Sequence, residues 1–387
     1  MSHQAAPLKL LLTGGGTGGH IYPALAVGKY FLQCNAQNQL VYVGRPNSLE
    51  EKLVSQEHID FHGIEFSGMP RGLTLNLPIR MLKWLMQLNR AKQQAIKILR
   101  HEKPSLVFGT GGYITAPVLM AAKALNIPYC IHEPDAQPGL ANRFLGRNAA
   151  LITTSFAHAA SQLKYRPDQQ ILVTGNPLRG KVGQMTPTYA RQQLSFHCPE
   201  DAQILLVTGG SQGARRINEA VIHCAKPLLN EIERLFIVHV TGEKRYDESV
   251  ALLKSHYPEL LNHDHYKLLP YTNEMPALLE LSSLAVCRAG SLTLSEMFLC
   301  AVPTILVPYP HAAADHQHMN SQAAVDAGAS IMIPDHQLSP VYLQEQVLSL
   351  LNTPTRLTQM AESAKKLAKP NATKAIVEAL RKTIDVQ

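Results

Sequence analysis

The chain predicts an α/β protein made of two doubly wound parallel sheets, and three observations carry that expectation. Short apolar strands alternate throughout with Gly- or Pro-marked loops and helical stretches of about 10–15 residues, the pattern of repeated βα units. A glycine-rich strand–loop–helix opens the chain: Leu8–Leu12, then Thr13-Gly14-Gly15-Gly16-Thr17-Gly18-Gly19-His20, then the helical stretch Ile21–Tyr30. The same device returns near the middle, as Ile204-Leu205-Leu206-Val207-Thr208-Gly209-Gly210-Ser211-Gln212-Gly213-Ala214. Two such loops one domain apart predict a ligand held between two similar halves.

Strands are expected at 8–13, 39–43, 105–109, 127–132, 150–154 and 170–174 in the first half, and at 203–208, 234–240, 266–269, 284–288 and 303–307 in the second. Asn176-Pro177-Leu178-Arg179-Gly180, with Pro187 soon after, is the best linker. A second echo supports the two halves. Leu106–Glu133 and Leu284–His311 both read strand, small-residue loop, helix, x-x-Pro, strand and polar strand end. Ligands of open α/β sheets bind at the carboxyl ends of strands, where these loops fall.

Composition narrows the class. A chain of 387 residues can bury two α/β cores. No apolar stretch approaches the roughly 20 residues of a membrane span, and the first apolar run is too short for a signal peptide. Six scattered cysteines without a CxxC predict reduced thiols in a cytoplasmic protein. The net charge of +7 is local: Arg71–Lys103 holds eight Lys/Arg against one acid, Glu102, and the remainder sums to zero.

Several motifs can carry chemistry, each with a structural alternative beside it. Gly14-x-Gly16-x-x-Gly19 suits a phosphate at a helix N-terminus, or simply tight helix–strand packing. A redox dinucleotide fits poorly, because Gly44-Arg45 stands where an acidic residue should hold the ribose; His20 in the lysine position excludes a Walker loop. A neutral histidine at a helix start can act as a general base, or donate one structural hydrogen bond. Arg288-Ala289-Gly290-Ser291-Leu292-Thr293-Leu294-Ser295-Glu296 offers N–H groups and hydroxyls to a diphosphate and a carboxylate to a ribose diol, while Thr293-x-x-Glu296 also reads as a capping box. His311 to Asn320, with Asp315, His316 and Gln317, is dense in hydrogen-bonding groups suited to a sugar, as are His132, Glu133 and Asp135; no partners with metal-ligand spacing accompany them. The basic stretch from Leu73 begins a helix near Pro78 and sets Arg80, Lys83 and Arg90 beside a broad apolar surface with the single Trp84. It is either an ordinary core helix with a solvated edge or a patch for an anionic membrane surface. Nucleic acid is not expected, since no aromatic ladder or basic groove appears.

Together GGTGGH (Gly15–His20), GTGGY (Gly109–Tyr113), HE…PGLANR (His132–Arg143), GNPLR (Gly175–Arg179), GGSQGA (Gly209–Ala214), CRAGSLTLSE (Cys287–Glu296) and PHAAADHQxxN (Pro310–Asn320) resemble, in order and over nearly the whole chain, the family 28 glycosyltransferases of the GT-B superfamily. The resemblance implies two Rossmann-like domains facing across a cleft: residues 1–176 for acceptor and membrane, and 177–359 for UDP-GlcNAc. A C-terminal helix at about 360–387 would pack back on the first. It further implies an inverting transfer of N-acetylglucosamine from UDP-GlcNAc to the C4 hydroxyl of the muramyl sugar of lipid I, giving lipid II at the cytoplasmic face of the inner membrane.

By the same resemblance, His20 and Glu133 would be catalytic. Thr17, Gly18, Gly19, Asp135, Arg179, Ser211, Gln212, Thr272, Ser291, Leu292, Thr293, Leu294, Ser295, Glu296 and Gln317 would hold the donor. Gly16, Gly111, Gly112 and Tyr113 would face the acceptor, and Leu75, Ile79, Leu82, Trp84 and Leu85 would meet the membrane. No cofactor or metal is implied; anionic lipids and other cell-wall synthesis proteins are the implied partners. One departure stands out: Asp135 occupies a position where the family commonly has Asn, replacing an NH2 donor by an acceptor. Rival expectations are another GT-B enzyme on UDP-GlcNAc, such as a 2-epimerase or a glycolipid transferase, and a non-catalytic, membrane-recruited nucleotide-sugar binding module.

Overall fold

The structure, a computed structural model, describes residues 7–70, 76–163, 166, 167, 169–178, 180, 182–210 and 212–385. The chain divides into two units, one running to Arg179 and resuming at Asn371, the other spanning Gly180–Pro370.

The first unit is a parallel sheet in the order β3-β2-β1-β4-β5-β6-β7. Its strands are β1 (Lys9–Thr13), β2 (Gln39–Gly44), β3 (Asp60–Gly63), β4 (Leu106–Gly109), β5 (Tyr129–Glu133), β6 (Leu151–Thr154) and β7 (Gln170–Val173). The helices between them are α1 (Gly18–Cys34), α2 (Leu49–Gln56), α3 (Leu77–Glu102), α4 (Thr115–Ala124), α5 (Leu140–Gly146) and α6 (Ala157–Leu163). Strand alternation sends Leu10 and Leu12 to a core with Ile21 and Phe31 of α1, and Leu11 to the opposite core with Ala91 and Leu99 of α3. Both faces are covered, so the strands read as continuous apolar runs. Strand β1 pairs with β2 on one side and β4 on the other, with Thr13 level with Gly109. The strand order reverses there, which sets the crevice at the carboxyl ends of β1 and β4.

The second unit repeats the plan in the order β10-β9-β8-β11-β12-β13. Its strands are β8 (Gln203–Thr208), β9 (Leu235–Val240), β10 (Tyr266–Leu269), β11 (Ser282–Cys287), β12 (Thr304–Leu306) and β13 (Ser330–Met332). Its helices are α7 (Pro187–Gln192), α8 (Arg215–Glu231), α9 (Tyr246–His256), α10 (Met275–Leu281), α11 (Ser291–Leu299), α12 (His316–Asp326), α13 (Pro340–Leu351) and α14 (Pro354–Leu367). A final helix, α15 (Ala372–Asp385), belongs to the first unit, where Ile376, Val377 and Leu380 are wholly buried in the core shared with α1.

Two features differ from the sequence expectation. Strands β3 and β13 were not expected; both are sheet edges, where a short strand needs little apolar character. The single helix expected over about 360–387 is two, α14 and α15, because Pro370 lacks the N–H needed to continue a helix.

Candidate active site

In the first unit, the glycine segments after β1 and β4 interlock. Gly15 N–H donates to Gly111 O at 3.3 Å, and a Cβ on Gly112, at φ +80°, would lie 2.2 Å from Gly15 O. Only glycine permits that approach. Helix α1 begins at Gly18 with Thr17 as N-cap and no side-chain cap, so its first turn presents N–H groups that the helix itself cannot satisfy. Gly16, Thr17, Gly18, Gly19, His20, Gly111, Gly112 and Tyr113 are thereby gathered at the crevice, Tyr113 lying 3.4 Å from where a Gly16 Cβ would stand.

Thr110 grips His20 from two directions. Its carbonyl accepts from His20 Nδ1 at 3.0 Å, and its hydroxyl donates to His20 O at 2.6 Å. A carbonyl can only accept, so the neutral ring carries its proton on Nδ1 and its lone pair on Nε2, the arrangement a general base requires.

Glu133 closes β5 at 2% exposure. Its Oε1 accepts the Asp135 N–H at 3.0 Å, while Oε2 accepts the Gly139 N–H and Asn142 Nδ2, both at 2.9 Å. Burial, assisted by the neighbouring Asp135 charge, pushes the carboxyl up to about 8 despite those donors. Glu133 thus shapes its own loop with both oxygens. Beside it, buried His132 donates from Nε2 to Asn176 Oδ1 at 3.0 Å and meets Thr153 Oγ1 through Nδ1 at 3.0 Å. Burial takes its pKa down to about 4, so it is neutral at physiological pH.

Helix α3 rests on the unit through Ala91, Ala95 and Leu99, leaving its first turns largely in solvent. Ile79 and Leu82 are 58% and 60% exposed, and Leu85 and Met86 are exposed beside Arg80, Lys83 and Arg90. Trp84, expected on that outer face, is instead half-buried: its indole N–H donates to Ser67 O at 3.1 Å and its ring lies 5.8 Å from Phe66. Residues 81, 84, 88, 91 and 95 recur at helical spacing on the inward side, which places Trp84 among them. Among the described residues no helix is long and apolar enough to cross a membrane.

In the second unit, α11 starts at Ser291 with Gly290 as N-cap and no side-chain cap. Thr293 therefore lies inside the first turn, and the capping box expected for Thr293 and Glu296 does not form. The first-turn N–H groups of Ser291, Leu292 and Thr293 gather at an anion-suited terminus, and Glu296 follows, half-buried. Leu294 is fully buried and its N–H donates to Gly290 O, so it offers a ligand no side-chain or N–H contact. Ser295 Oγ donates to Ser291 O at 2.8 Å.

Surrounding side chains fix this loop. Arg288 donates to Val307 O, Pro308 O and Asp335, the last at 2.6 Å, and Asn320 Nδ2 donates to Ala289 O at 3.1 Å. Gln317 Oε1 accepts the Tyr309 N–H at 2.9 Å, leaving its NH2 as the group to offer a ligand. Gln212 Oε1 accepts from Lys244 at 2.9 Å, and the Thr272 hydroxyl accepts the Glu274 N–H at 2.9 Å in the turn before α10. Arg179, Ser211 and Leu75 lie outside the described residues. Among the described residues no group of three His, Cys, Asp or Glu side chains is arranged to hold a metal ion.

Sequence reasoning missed Glu50, Thr110 and the Arg288–Asp335 pair. The available signal for Glu50 was its place four residues before Val54, on the buried face of α2. Thr110 acts partly through its carbonyl, which no residue type announces.

Comparisons with known proteins bear on both units. The model of the glycosyltransferase family 28 N-terminal domain matches residues 10–154, and that of the family 28 C-terminal domain matches residues 204–376. A protein of Halothermothrix orenii named UDP-N-acetylglucosamine–N-acetylmuramyl-(pentapeptide) pyrophosphoryl-undecaprenol N-acetylglucosamine transferase is 37% identical, over 97% of this chain and 99% of its own. One of the same name from Desulforamulus reducens is 36% identical, over 98% and 100%. Among solved structures, Acinetobacter baumannii MurG superposes with a TM-score of 0.75 at 28% identity, covering 97% of this chain and all of its own. A UDP-N-acetylglucosamine 2-epimerase from Neisseria meningitidis shares the fold at TM-score 0.64 and 16% identity, covering 97% of this chain and 100% of its own.

Proposed function

Because the chain belongs to family 28 of the glycosyltransferases, we propose that it transfers N-acetylglucosamine from UDP-GlcNAc to the C4 hydroxyl of the muramyl sugar of lipid I, forming lipid II for peptidoglycan. The observation that carries the chemistry is the Thr110 carbonyl on His20 Nδ1, which dedicates Nε2 to receiving a proton. In the proposed step the acceptor oxygen forms a bond to the donor anomeric carbon as the bond from that carbon to the diphosphate breaks. The acceptor proton passes to His20 Nε2, UDP leaves with the bonding pair, and attack opposite the leaving group inverts the centre to a β(1→4) linkage.

The donor would lie on the second unit. The α11 N-terminus would take the diphosphate, where oriented N–H groups stabilise charge growing on the leaving UDP. Glu296 would accept the ribose hydroxyls, the Gln317 NH2 would hold the sugar, and Thr272 would flank the base. The acceptor would lie on the first unit, its pyrophosphate at the α1 N-terminus with Gly111, Gly112 and Tyr113 alongside, so that Thr17, Gly18 and Gly19, expected from the resemblance to hold the donor, would face the acceptor instead. Glu133, held by its own loop, supports Asp135 and α5 rather than exchanging a proton. Ile79, Leu82 and Leu85, with Met86 and the nearby cations, would dock on anionic lipid at the cytoplasmic face of the inner membrane, where the polyprenyl acceptor is anchored. Other cell-wall synthesis proteins are the expected protein partners.

The test is incubation of the full chain with UDP-GlcNAc and a lipid I analogue, with and without EDTA, following UDP and disaccharide lipid together. Equal amounts of both, unaffected by chelator, are expected. UDP release without a coupled product, or conversion of UDP-GlcNAc in the absence of acceptor, would sink the proposal in favour of another acceptor or an epimerase.

A further inference from the structure

Glu50 is an acid where an anion site is expected. It stands in the first turn of α2, is 2% exposed, and accepts the Gly16 N–H through Oε1 at 3.1 Å. The same oxygen lies so near Gly15 that a Cβ there would approach it to 2.2 Å, so a glycine at 15 admits the carboxylate. Two residues before Gly16, the buried Tyr42 hydroxyl donates to Gly14 O at 2.7 Å. The loop is therefore pinned at Gly14 and Gly16 by side chains from β2 and α2. With the Gly16 amide given to Glu50 and the Gly15 amide to Gly111 O, the N–H groups left to meet a phosphate are those where α1 begins. His20 lies in that same first turn, three residues past the N-cap Thr17.

From this geometry we infer that Glu50 is a positioning residue for the acceptor half-site: its bond to Gly16 sets where α1 starts, and so where His20 and the first-turn amides stand. The inference rests on the acceptor lying on the first unit, as proposed above. What Glu50 supplies is an oxygen acceptor at one point, so Glu50→Gln, which keeps an oxygen, should substitute for it and Glu50→Ala should not. Gly15→Ala, which drives a methyl into the carboxylate, should reproduce the alanine variant from the opposite side. Combining the two should cost no more than either alone, because both remove one contact.

The experiment uses the full-length protein and three readouts: amide hydrogen exchange over residues 14–22, kcat/KM toward a lipid I analogue, and UDP-GlcNAc affinity by titration. Glu50→Ala should speed exchange in that segment and lower kcat/KM about 10- to 100-fold, the range set by leaving the Gly16 N–H without its acceptor. Donor affinity should stay unchanged, and Glu50→Gln should return kcat/KM to within about threefold of the parent. Should Glu50→Ala fail to fold, Gly15→Ala and Glu50→Gln carry the comparison. Unchanged exchange and turnover in Glu50→Ala would overturn the inference, as would a glutamine variant as impaired as alanine, or parallel losses of donor and acceptor affinity. If the parent protein transfers nothing to lipid I, the proposed function fails, while exchange at 14–22 still decides whether Glu50 holds the loop.

Discussion

The proposed role of His20 as a base needs the lone pair on the outer ring nitrogen, and the Thr110 carbonyl selects that tautomer of the neutral ring. Replacing His20 by Ala should lower kcat by about 10²- to 10⁴-fold, the usual worth of positioned proton transfer, while UDP-GlcNAc affinity measured by titration stays unchanged. His20 was legible because it ends a glycine run at a helix start; the carbonyl that orients it was not, since backbone direction has no signature in a side chain. The neighbours His132 and Glu133 make a second prediction. Glu133 rises from its ordinary 4.5 to about 8 on burial, so the folded chain binds the extra proton across that interval. Its contribution to stability is full below the unfolded value and is lost as pH rises through the folded one. His132 falls from 6.5 to about 4, so its contribution is present above the unfolded value and is lost as pH falls through the folded one. The two slopes oppose each other between about pH 4.5 and 6.5, so the pair predicts a melting temperature that falls below about pH 4.5 and again between about pH 6.5 and pH 8. In Glu133→Gln the decline between about pH 6.5 and pH 8 should flatten, whatever the variant's absolute melting temperature. An undiminished alkaline decline would assign it to another group.

Secondary elements explain which parts of the fold were readable. Central strands such as β1 and β8 are buried on both faces and announce themselves as apolar runs; β3, written Asp60-Phe61-His62-Gly63, is an edge whose pairing partner β2 supplies the order. Helix α3 was readable as basic and apolar, but not the rotation that turns Trp84 inward. Leu82→Glu combined with Leu85→Glu should reduce binding to anionic vesicles about 10- to 100-fold, by removing apolar area and adding like charge. Turnover of a short-chain soluble acceptor should change less than twofold in that variant. Equal vesicle binding by the parent and the double variant would show that α3 is not the docking element. At the glycine loops, Gly112→Ala should cost roughly 2–4 kcal/mol in denaturant unfolding, because a positive φ and a backbone clash are imposed together.

For the whole chain, the parallel plan of the two units was visible in the repeated strand–loop–helix segments, and the return of a C-terminal helix to the first unit was implied by the family resemblance; the division of that helix at Pro370 was not expected. Deleting residues from Asn371 onward should unfold the first unit and leave the second folded. Ile376, Val377 and Leu380 are wholly buried against α1, and losing three such side chains removes more than about 4 kcal/mol of burial. Calorimetry on the truncated chain should show one remaining transition, and retention of both would contradict the assignment of α15 to the first core.

The closing helix also sets an order of events during synthesis. The second unit is an insertion between two pieces of the first, tethered at both ends, so its residues all leave the ribosome before α15 does. The unit made first is thus the last to gain its full core, and until then it exposes the apolar groove that α15 will fill. During that interval the nascent chain presents a binding surface to chaperones, and a stalled or truncated message would yield a folded second unit tethered to a first unit unable to complete itself.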